Sequence, residues 1–316
     1  MELISVIMPV YNVSKYVGAS IESILKQTYS NFEFIIVDDC STDDTYFVCK
    51  QYADIDNRIK LYKNEKNMKI EATLNKALSY AQGKYIVRQD GDDISVSNRF
   101  EVLKEYLDNH PDIALVGSDI IKIDNNGDEF GVKHFPYTQS AIKKISLLTS
   151  PIMHIWMTYK SIYDDIGNYR VFAGSEDHDF LLRLISKGYK CSNVHNFLGY
   201  KQRVEREGNS SITFGLKKFK STLYVIKLYK QRQKKGIDTY SLENMKKNTS
   251  ANKLKTILFA FSSSVLVKAV KARDRKQRLK MMFYIFLSLV SPYRWKYLLY
   301  SMKYSIIMKQ QDLENA

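Results

Sequence analysis

What most limits how this chain can fold is the alternation, up to about residue 124, of short apolar runs with amphipathic ones. ISVIMPV (4–10) is followed by YVGASIESILKQ (16–27), FEFIIVDD (32–39) by DDTYFVCKQYA (43–53), and IKLYKN (59–64) by IEATLNKALSYAQG (70–83). KYIVRQD (84–90), RFEVLKEYLDNH (99–110) and IALVGSDIIKID (113–124) continue the series. Short runs rich in Val, Ile and aromatic residues read as strands, and apolar residues recurring every three or four positions read as helices. Gly83 closes the third helical pattern, as glycine commonly does. Strand and helix in alternation predict βαβ units, hence an α/β fold with a parallel sheet covered on both faces. No internal repeat, low-complexity tract or Gly/Ser linker interrupts the series.

In open α/β sheets ligands bind beyond the carboxyl ends of the strands, so chemistry is expected just after each run. Those positions hold Pro9, Tyr11 and Asn12, then Asp38 and Asp39, then Asn64 and Asn67, then Asp90, Asp92 and Asp93. Asp and Asn are ordinary turn residues, which accounts for any one of them. VRQDGDDIS (87–95) is different, because it places three carboxylates side by side with no lysine between them, and adjacent carboxylates repel unless a cation is shared. Oxygen donors without Cys or His suit a hard divalent ion, Mn2+ or Mg2+, which keeps positions open for water or phosphate. Such an ion neutralises a diphosphate leaving group as a Lewis acid. Gly91, between two of the acids, is expected to let the backbone come close to bound phosphates. Two common phosphate devices are absent: no GxGxxG follows the first strand, and no GxxxxGK[ST] occurs anywhere.

The chain has 316 residues, 45% of them apolar, enough for a full core. Its net charge of +14 suggests nucleic acid until it is divided along the sequence. Residues 1–216 carry 25 Lys and Arg against 29 Asp and Glu, whereas 217–316 carry 23 against 5. The basic character belongs to the tail, and no nucleic-acid-reading motif accompanies it. Cys40, Cys49 and Cys191 form no CxxC pair and no zinc spacing, which fits a reducing compartment. MELISVIMPVYN lacks the basic leader and cleavage site of a signal peptide. A cytoplasmic protein is expected.

SVIMPVYN, FIIVDDCSTDDT, NKALSYAQGKYIVRQDGDDIS and GSEDHDFLLRL, in this order and at these spacings, resemble the successive motifs of the inverting family 2 glycosyltransferases. These are bacterial enzymes that build surface polysaccharides from nucleotide sugars. The likeness runs from about residue 3 to about residue 205. It implies the GT-A nucleotide-diphospho-sugar transferase fold, a Rossmann-like mixed sheet, over 1–215, with a basic helical region over 216–316. The family's DxD motif matches Asp90-Gly91-Asp92, which implies Mn2+ or Mg2+ bound chiefly by Asp92, with Asp90 reaching the ribose and the metal shell. Pro9, Tyr11 and Asp39 match positions that hold the base and ribose, Tyr11 by stacking, and Arg88 stands in the usual place before the DxD. Where the family commonly has Asn-x-Gly, this chain has Asn67-Met68-Lys69. That departure bears on the local backbone shape and on any role of Lys69 near the diphosphate.

Inverting transfer from an α-linked donor needs a base on the face opposite the diphosphate, to take the acceptor hydroxyl's proton. FAGSEDHDFLLRLISKGYK supplies carboxylates just ahead of an amphipathic helix that stops at Gly188, although acids also favour a helix start through its dipole. The family's ED motif matches Glu176-Asp177, which by resemblance makes Asp177 the base and Glu176 the residue that places the acceptor. Asp179 reads as a first-turn helix residue and His178 as structural or acceptor-facing. His154, in SPIMHIWMTYK, enters a β-like segment expected on the acceptor side. His110, His134 and His195 read as structural. YKQRVEREGNSS (200–211), with Arg203, Arg206 and Ser210, is equally a solvated loop or, by a loose likeness, a lid over the diphosphate.

From residue 217 on, apolar stretches are mixed with Lys and Arg. The longest stretch free of charge, MMFYIFLSLVSPY, has 13 residues, short of the roughly 20 that span a bilayer. Peripheral helices on an anionic membrane surface are expected, with Tyr293, Trp295 and Tyr297 beside Arg294 and Lys296 at headgroup level. A bundle packed on the catalytic domain is the other reading. The resemblance implies a UDP-sugar donor, with glucose or galactose favoured and N-acetylhexosamine open. The acceptor it implies is a sugar on undecaprenyl diphosphate, with a β1,3 bond to GlcNAc, in O-antigen or capsule assembly at the cytoplasmic face of the bacterial inner membrane. Two other classes stay open. A nucleotidyltransferase would show a Gly/Arg/Lys-rich loop where this chain has VYNVSKY, and a non-catalytic partner in a polysaccharide complex would tolerate loss of Asp92 and Asp177.

Overall fold

In the computed structural model, which describes residues 1–172, 174–204, 215–274 and 277–314, the alternating runs become β1 (Ile4–Val10), α1 (Ser14–Leu25), β2 (Phe32–Asp38), α2 (Thr45–Ala53), β3 (Ile59–Lys63), α3 (Ile70–Tyr80), β4 (Tyr85–Arg88), β5 (Ile94–Ser95), α4 (Arg99–Asn109) and β6 (Ile113–Ile123). Then follow β7 (Glu129–Lys133), α5 (Gln139–Ser146), β8 (Met157–Tyr159), α6 (Lys160–Ile166), α7 (Glu176–Ser186) and β9 (Lys190–Arg203). All seven residues of β1 are buried, as befits a strand with a neighbour on each side and helices over both faces. Side chains alternate between faces along a strand, and the core divides accordingly. Ile4, Val6 and Met8 enter one apolar cluster with Phe34, Ile21, Phe100 and Leu103, whereas Ile7 enters another with Ile35, Leu74, Trp156 and Phe180. One layer therefore includes α1, α2 and α4, and the other includes α3 and α7.

The strand order is β3-β2-β1-β4-β8-β6-β9-β5, with β7 paired on β6. β3, β2, β1 and β4 are mutually parallel, which is the arrangement that alternation predicts. The sheet is nevertheless mixed, because β8 lies antiparallel to both β4 and β6. An antiparallel neighbour needs no crossover helix, so three residues suffice to bridge the two halves, and a fully parallel sheet does not form. The GT-A-like mixed sheet expected from the resemblance is the one present. β6 and β9 run parallel, and the two-residue β5 pairs antiparallel with Tyr200 and Lys201 of β9. That short clip ties the acidic segment after β4 to the far strand of the sheet.

The chain divides into two compact units. One comprises the sheet and α1 to α7. The other holds α8 (Leu216–Lys235), α9 (Leu242–Thr249), α10 (Lys253–Asp274), α11 (Arg278–Ser288) and α12 (Pro292–Glu314). Its small core joins Leu216 and Phe219 of α8 to Phe259 of α10, with Tyr293 and Tyr297 of α12 packed against them. The Arg294 guanidinium lies 4.5 Å over the Phe259 ring. Outside this core many large apolar side chains are exposed, among them Met282, Phe283, Phe286, Trp295 and Leu299. Among the described residues no helix is long and apolar enough to cross a membrane.

Candidate active site

The acidic turn is built from beneath. The Gln89 amide donates to Ser20 Oγ (3.0 Å) and to the carbonyls of Asp90 (3.1 Å) and Asp93 (3.0 Å), and its oxygen accepts from Ser95 Oγ (2.8 Å) and Arg99 Nη1 (3.2 Å). Arg99 is fully buried and also donates to the Arg88 carbonyl (2.9 Å) and to the Ile155 carbonyl. From β9, the Arg203 backbone N–H donates to Asp93 Oδ1 (2.7 Å) and its side chain to the Asp92 carbonyl (3.0 Å), while the Asp90 N–H donates to the Tyr200 hydroxyl (3.1 Å). A Cβ on Gly91 would lie 2.7 Å from Val10 Cγ1. The glycine is thus demanded by packing against the end of β1, a different reason from the expected approach to phosphate.

The three carboxylates do not share one environment. Burial opposes ionisation of Asp90, but the Arg88 guanidinium and the His154 ring outweigh it and hold the carboxyl well below the usual range. Arg88 Nε donates to Asp90 Oδ1 at 3.1 Å, and His154 Nε2 lies 2.6 Å from Asp90 Oδ2. Asp93 is pushed well above its ordinary value by burial and by the charges of Asp92 and Asp90. Repulsion from Asp92 and Asp90 thus favours the protonated form of Asp93, the sign of a negative potential at the turn. A potential that favours a proton favours a divalent cation in the same way, and the donors are hard oxygens. Among the described residues no three His, Cys, Asp or Glu side chains converge as a complete metal cage.

Across the sheet end, α7 brings a second pair of acids to the same place. Glu176 and Asp177, expected just before the helix, form its first turn. Arg88 Nη1 sits 3.6 Å from Glu176 Oε1, so one guanidinium serves both the acidic turn and α7. Burial, and then the neighbouring Asp177 charge, push the Glu176 carboxyl up to about 7. Glu176 Oε2 is buried with no donor among the described residues. Asp177 Oδ2 is 3.9 Å from His154 Nδ1, and its other oxygen accepts from the His178 N–H at 2.7 Å. His154 thus stands between Asp90 and Asp177, one ring nitrogen towards each. Asp179 pairs with Arg170 and Arg183, and His178 Nε2 lies 2.9 Å from the Ser146 carbonyl, so both are structural.

The expected nucleotide side lies at the ends of β1, β2 and β3. Pro9 is buried opposite Val37, and Tyr11 is 43% exposed beyond the strand. Asp39 is spent on the chain itself: its carboxylate accepts from Asn64 Nδ2 (2.8 Å), the Met68 N–H (2.7 Å) and the Lys69 N–H (2.9 Å). It clamps the segment where the sequence departs from Asn-x-Gly. Lys69 adopts φ 71 and ψ 166 there, a glycine-type conformation held by a lysine. Asp38 Oδ1 and Asn67 Oδ1 are buried acceptors without a donor among the described residues.

Arg88, Asp90, His154, Glu176 and Asp177 thus come together around one guanidinium and one imidazole, with Asp92 on the same acidic turn. Asp39 holds the neighbouring loop through the Met68 and Lys69 N–H groups, directly after Asn67. Arg206 and Ser210 lie outside the described residues, and Arg203 braces the acidic turn. Gln89, Arg99 and Tyr200 were not anticipated. For Arg99 a signal existed, since a cation in the first turn of a helix opposes the dipole and needs another reason to be there.

A mixed sheet in this order, with a carboxylate turn at the end of β4 and an acidic helix start beside it, defines the GT-A class of nucleotide-sugar transferase folds. Staphylococcus aureus TarS 1–349, solved in complex with UDP-GlcNAc, shares that fold with a TM-score of 0.62 and 18% identity over 92% of this chain and 90% of that one. The family model for glycosyl transferase family 2 matches residues 5–167, and the chain belongs to that family. This sets aside the nucleotidyltransferase reading. The O-antigen biosynthesis glycosyltransferase WbnJ of Escherichia coli is 34% identical over 61% of this chain and 75% of its own. The UDP-Glc:alpha-D-GlcNAc-diphosphoundecaprenol beta-1,3-glucosyltransferase WfgD of Escherichia coli is 44% identical over 32% of this chain and 39% of its own.

Proposed function

We propose that the protein transfers a hexose, glucose or galactose, from a UDP-sugar to a sugar carried on undecaprenyl diphosphate, with inversion, in O-antigen or capsule assembly. The observation that carries this reading is the placement of Asp177 and Glu176 against the acidic turn, joined to it by Arg88 and His154. In this reading donor chemistry at the acidic turn and acceptor chemistry at the start of α7 lie side by side. The name of WfgD, a UDP-glucose enzyme acting on a GlcNAc-diphospholipid, supports the choice of donor, acceptor and β1,3 bond.

Asp92 and Asp90 would hold Mn2+ or Mg2+, which when bound supplies Lewis-acid neutralisation of the departing diphosphate. Asp90, ionised through Arg88 and His154, orients the donor ribose. Tyr11, exposed after β1, offers its face to the base, beside buried Pro9. The orphan acceptors Asp38 Oδ1 and Asn67 Oδ1 suit a ligand N–H such as the imide of uracil, and Asp39 fixes the loop that carries Asn67. At the acceptor side Asp177 takes the proton of the attacking hydroxyl. Glu176, pushed up to about 7, keeps a large protonated fraction at neutral pH and presents an O–H that positions the acceptor.

The catalytic part is 1–215. The basic helices of 216–316 rest on the anionic cytoplasmic face of the inner membrane, where a lipid-linked acceptor must be met. A panel of UDP-glucose, UDP-galactose and UDP-N-acetylhexosamines against a synthetic GlcNAc-diphospholipid, with and without EDTA, tests the reading. Transfer from a UDP-hexose that EDTA removes and Mn2+ restores is expected. Undiminished transfer in EDTA would reject the metal assignment, and no transfer from any donor would favour a non-catalytic partner.

A further inference from the structure

The second unit contains a groove that nothing in the glycosyl transfer uses. It encloses about 460 Å³ between α8 and α12 and is lined by Lys227, Lys230, Lys234 and Lys235 from one helix and Lys296 and Tyr300 from the other. Leu223 and Ile226 complete an apolar end. Among the described residues no carboxylate lines it, and the acid next along the chain, Asp238, is paired with Arg232. Cations at the end of α8 complement its dipole, which accounts for Lys234 and Lys235. The dipole does not account for Lys227 and Lys230 within the helix or for Lys296 on a different one. Like charges three and four residues apart destabilise a helix, so this concentration of ammonium groups costs stability that a bound anion would recover.

The helix that closes the groove also carries an unpartnered apolar stripe. Trp295, Leu299, Met302, Ile306 and Leu313 are all more than half exposed. Their spacings of four, three, four and seven keep them on one face of α12. Lys296 and Tyr300 lie roughly a third of a turn away from that stripe at 100° per residue, so the lysine groove flanks the apolar face. A site with ammonium groups at one end and apolar walls at the other, beside a face suited to acyl chains, matches an amphiphile with a phosphate head. We propose that the α8–α12 groove binds the phosphodiester headgroup of an anionic phospholipid while the α12 stripe enters the acyl boundary. This rests on the membrane reading above and deepens it from diffuse attraction to a defined headgroup site.

The test uses the full chain and flotation with phosphatidylglycerol or phosphatidylcholine vesicles. The groove variant is Lys227→Gln/Lys230→Gln/Lys234→Gln/Lys296→Gln, in which glutamine keeps helix propensity close to that of lysine. The control, Lys246→Gln/Lys247→Gln/Lys253→Gln/Lys255→Gln, removes the same charge from exposed positions of α9 and α10, and circular dichroism confirms that both variants fold. Affinity for phosphatidylglycerol vesicles is expected to fall about tenfold or more in the groove variant and less than roughly threefold in the control. Equal losses in both would overturn the groove while leaving membrane attraction standing. If wild-type protein floats with neither vesicle, the membrane reading fails first. Calorimetry with inorganic phosphate separates the sources. Binding that the groove variant abolishes, with vesicle affinity untouched, would make the groove a soluble-phosphate site and overturn the proposal.

Discussion

Lys69 shows how a single residue can be held where its type is unsuited. Its φ of 71 and ψ of 166 fall in a region that is essentially reserved for glycine and costs a bulky residue about 1–3 kcal/mol. The Asp39 carboxylate holds it there by accepting the N–H groups of Met68 and Lys69. Replacing Lys69 by glycine relieves the strain, less about 0.5–1 kcal/mol for the freer unfolded chain. Lys69→Gly should therefore stabilise the fold by about 1 kcal/mol, read as a raised denaturant midpoint with an unchanged slope; a lowered midpoint would mean that the lysine side chain contributes contacts of its own. For Asp177, removing the charge while keeping the shape separates binding from chemistry. Asp177→Asn should bind the donor normally in calorimetry and lose turnover by about 100-fold to 10,000-fold. Near-normal transfer would remove it from the base role.

At the scale of elements, α7 couples the site to pH. The Glu176 carboxyl is pushed from 4.5 up to about 7 by burial and the Asp177 charge. The folded state therefore binds a proton more tightly than the unfolded chain. This favours folding fully below about pH 4.5 and fades as pH rises towards 7. Glu176→Gln has no proton to lose, so its melting temperature relative to the wild type should climb between those limits. A flat difference would show that Glu176 is not strained in the ligand-free fold. The same scale shows where sequence was readable. β1, β2 and α3 lie where their patterns placed them, because long apolar or amphipathic runs carry a strong period. β8 was visible only as a β-like segment, since three residues carry no period, and its antiparallel direction depends on which strands it must bridge. The acidic turn and the Glu176-Asp177 pair were legible as clusters of like charge. Gln89 and Tyr200 were not, because Gln89 works through carbonyls and hydroxyls that leave no charge pattern and Tyr200 through Asp90, far away in sequence; Arg99 offered only its misplaced charge in a first turn.

The whole molecule divides its charge between two settings. The sheet unit keeps its functional charges in pairs sheltered from solvent, whereas the helical unit leaves most of its lysines in water beside exposed apolar side chains. Solvent-exposed charges are screened beyond about 8 Å at physiological salt, and buried pairs much less. Raising sodium chloride should therefore weaken attachment of the intact protein to anionic vesicles, measured by sedimentation. Attachment indifferent to salt would place the apolar face, not the lysines, in control.

Arg99 carries a consequence for how the enzyme tolerates its surroundings. Burial brings this guanidinium down to about 10, which still leaves it charged at every physiological pH. Among the described residues no acid pairs with it, and its Cζ lies 4.9 Å from the centre of the Tyr200 ring. It works as a permanent counterweight sealed beneath the floor, beyond the reach of dissolved ions. Brine that strips the protein from lipid should thus leave the reaction centre's internal balance intact, so a water-soluble acceptor would still be glycosylated after the membrane has been let go.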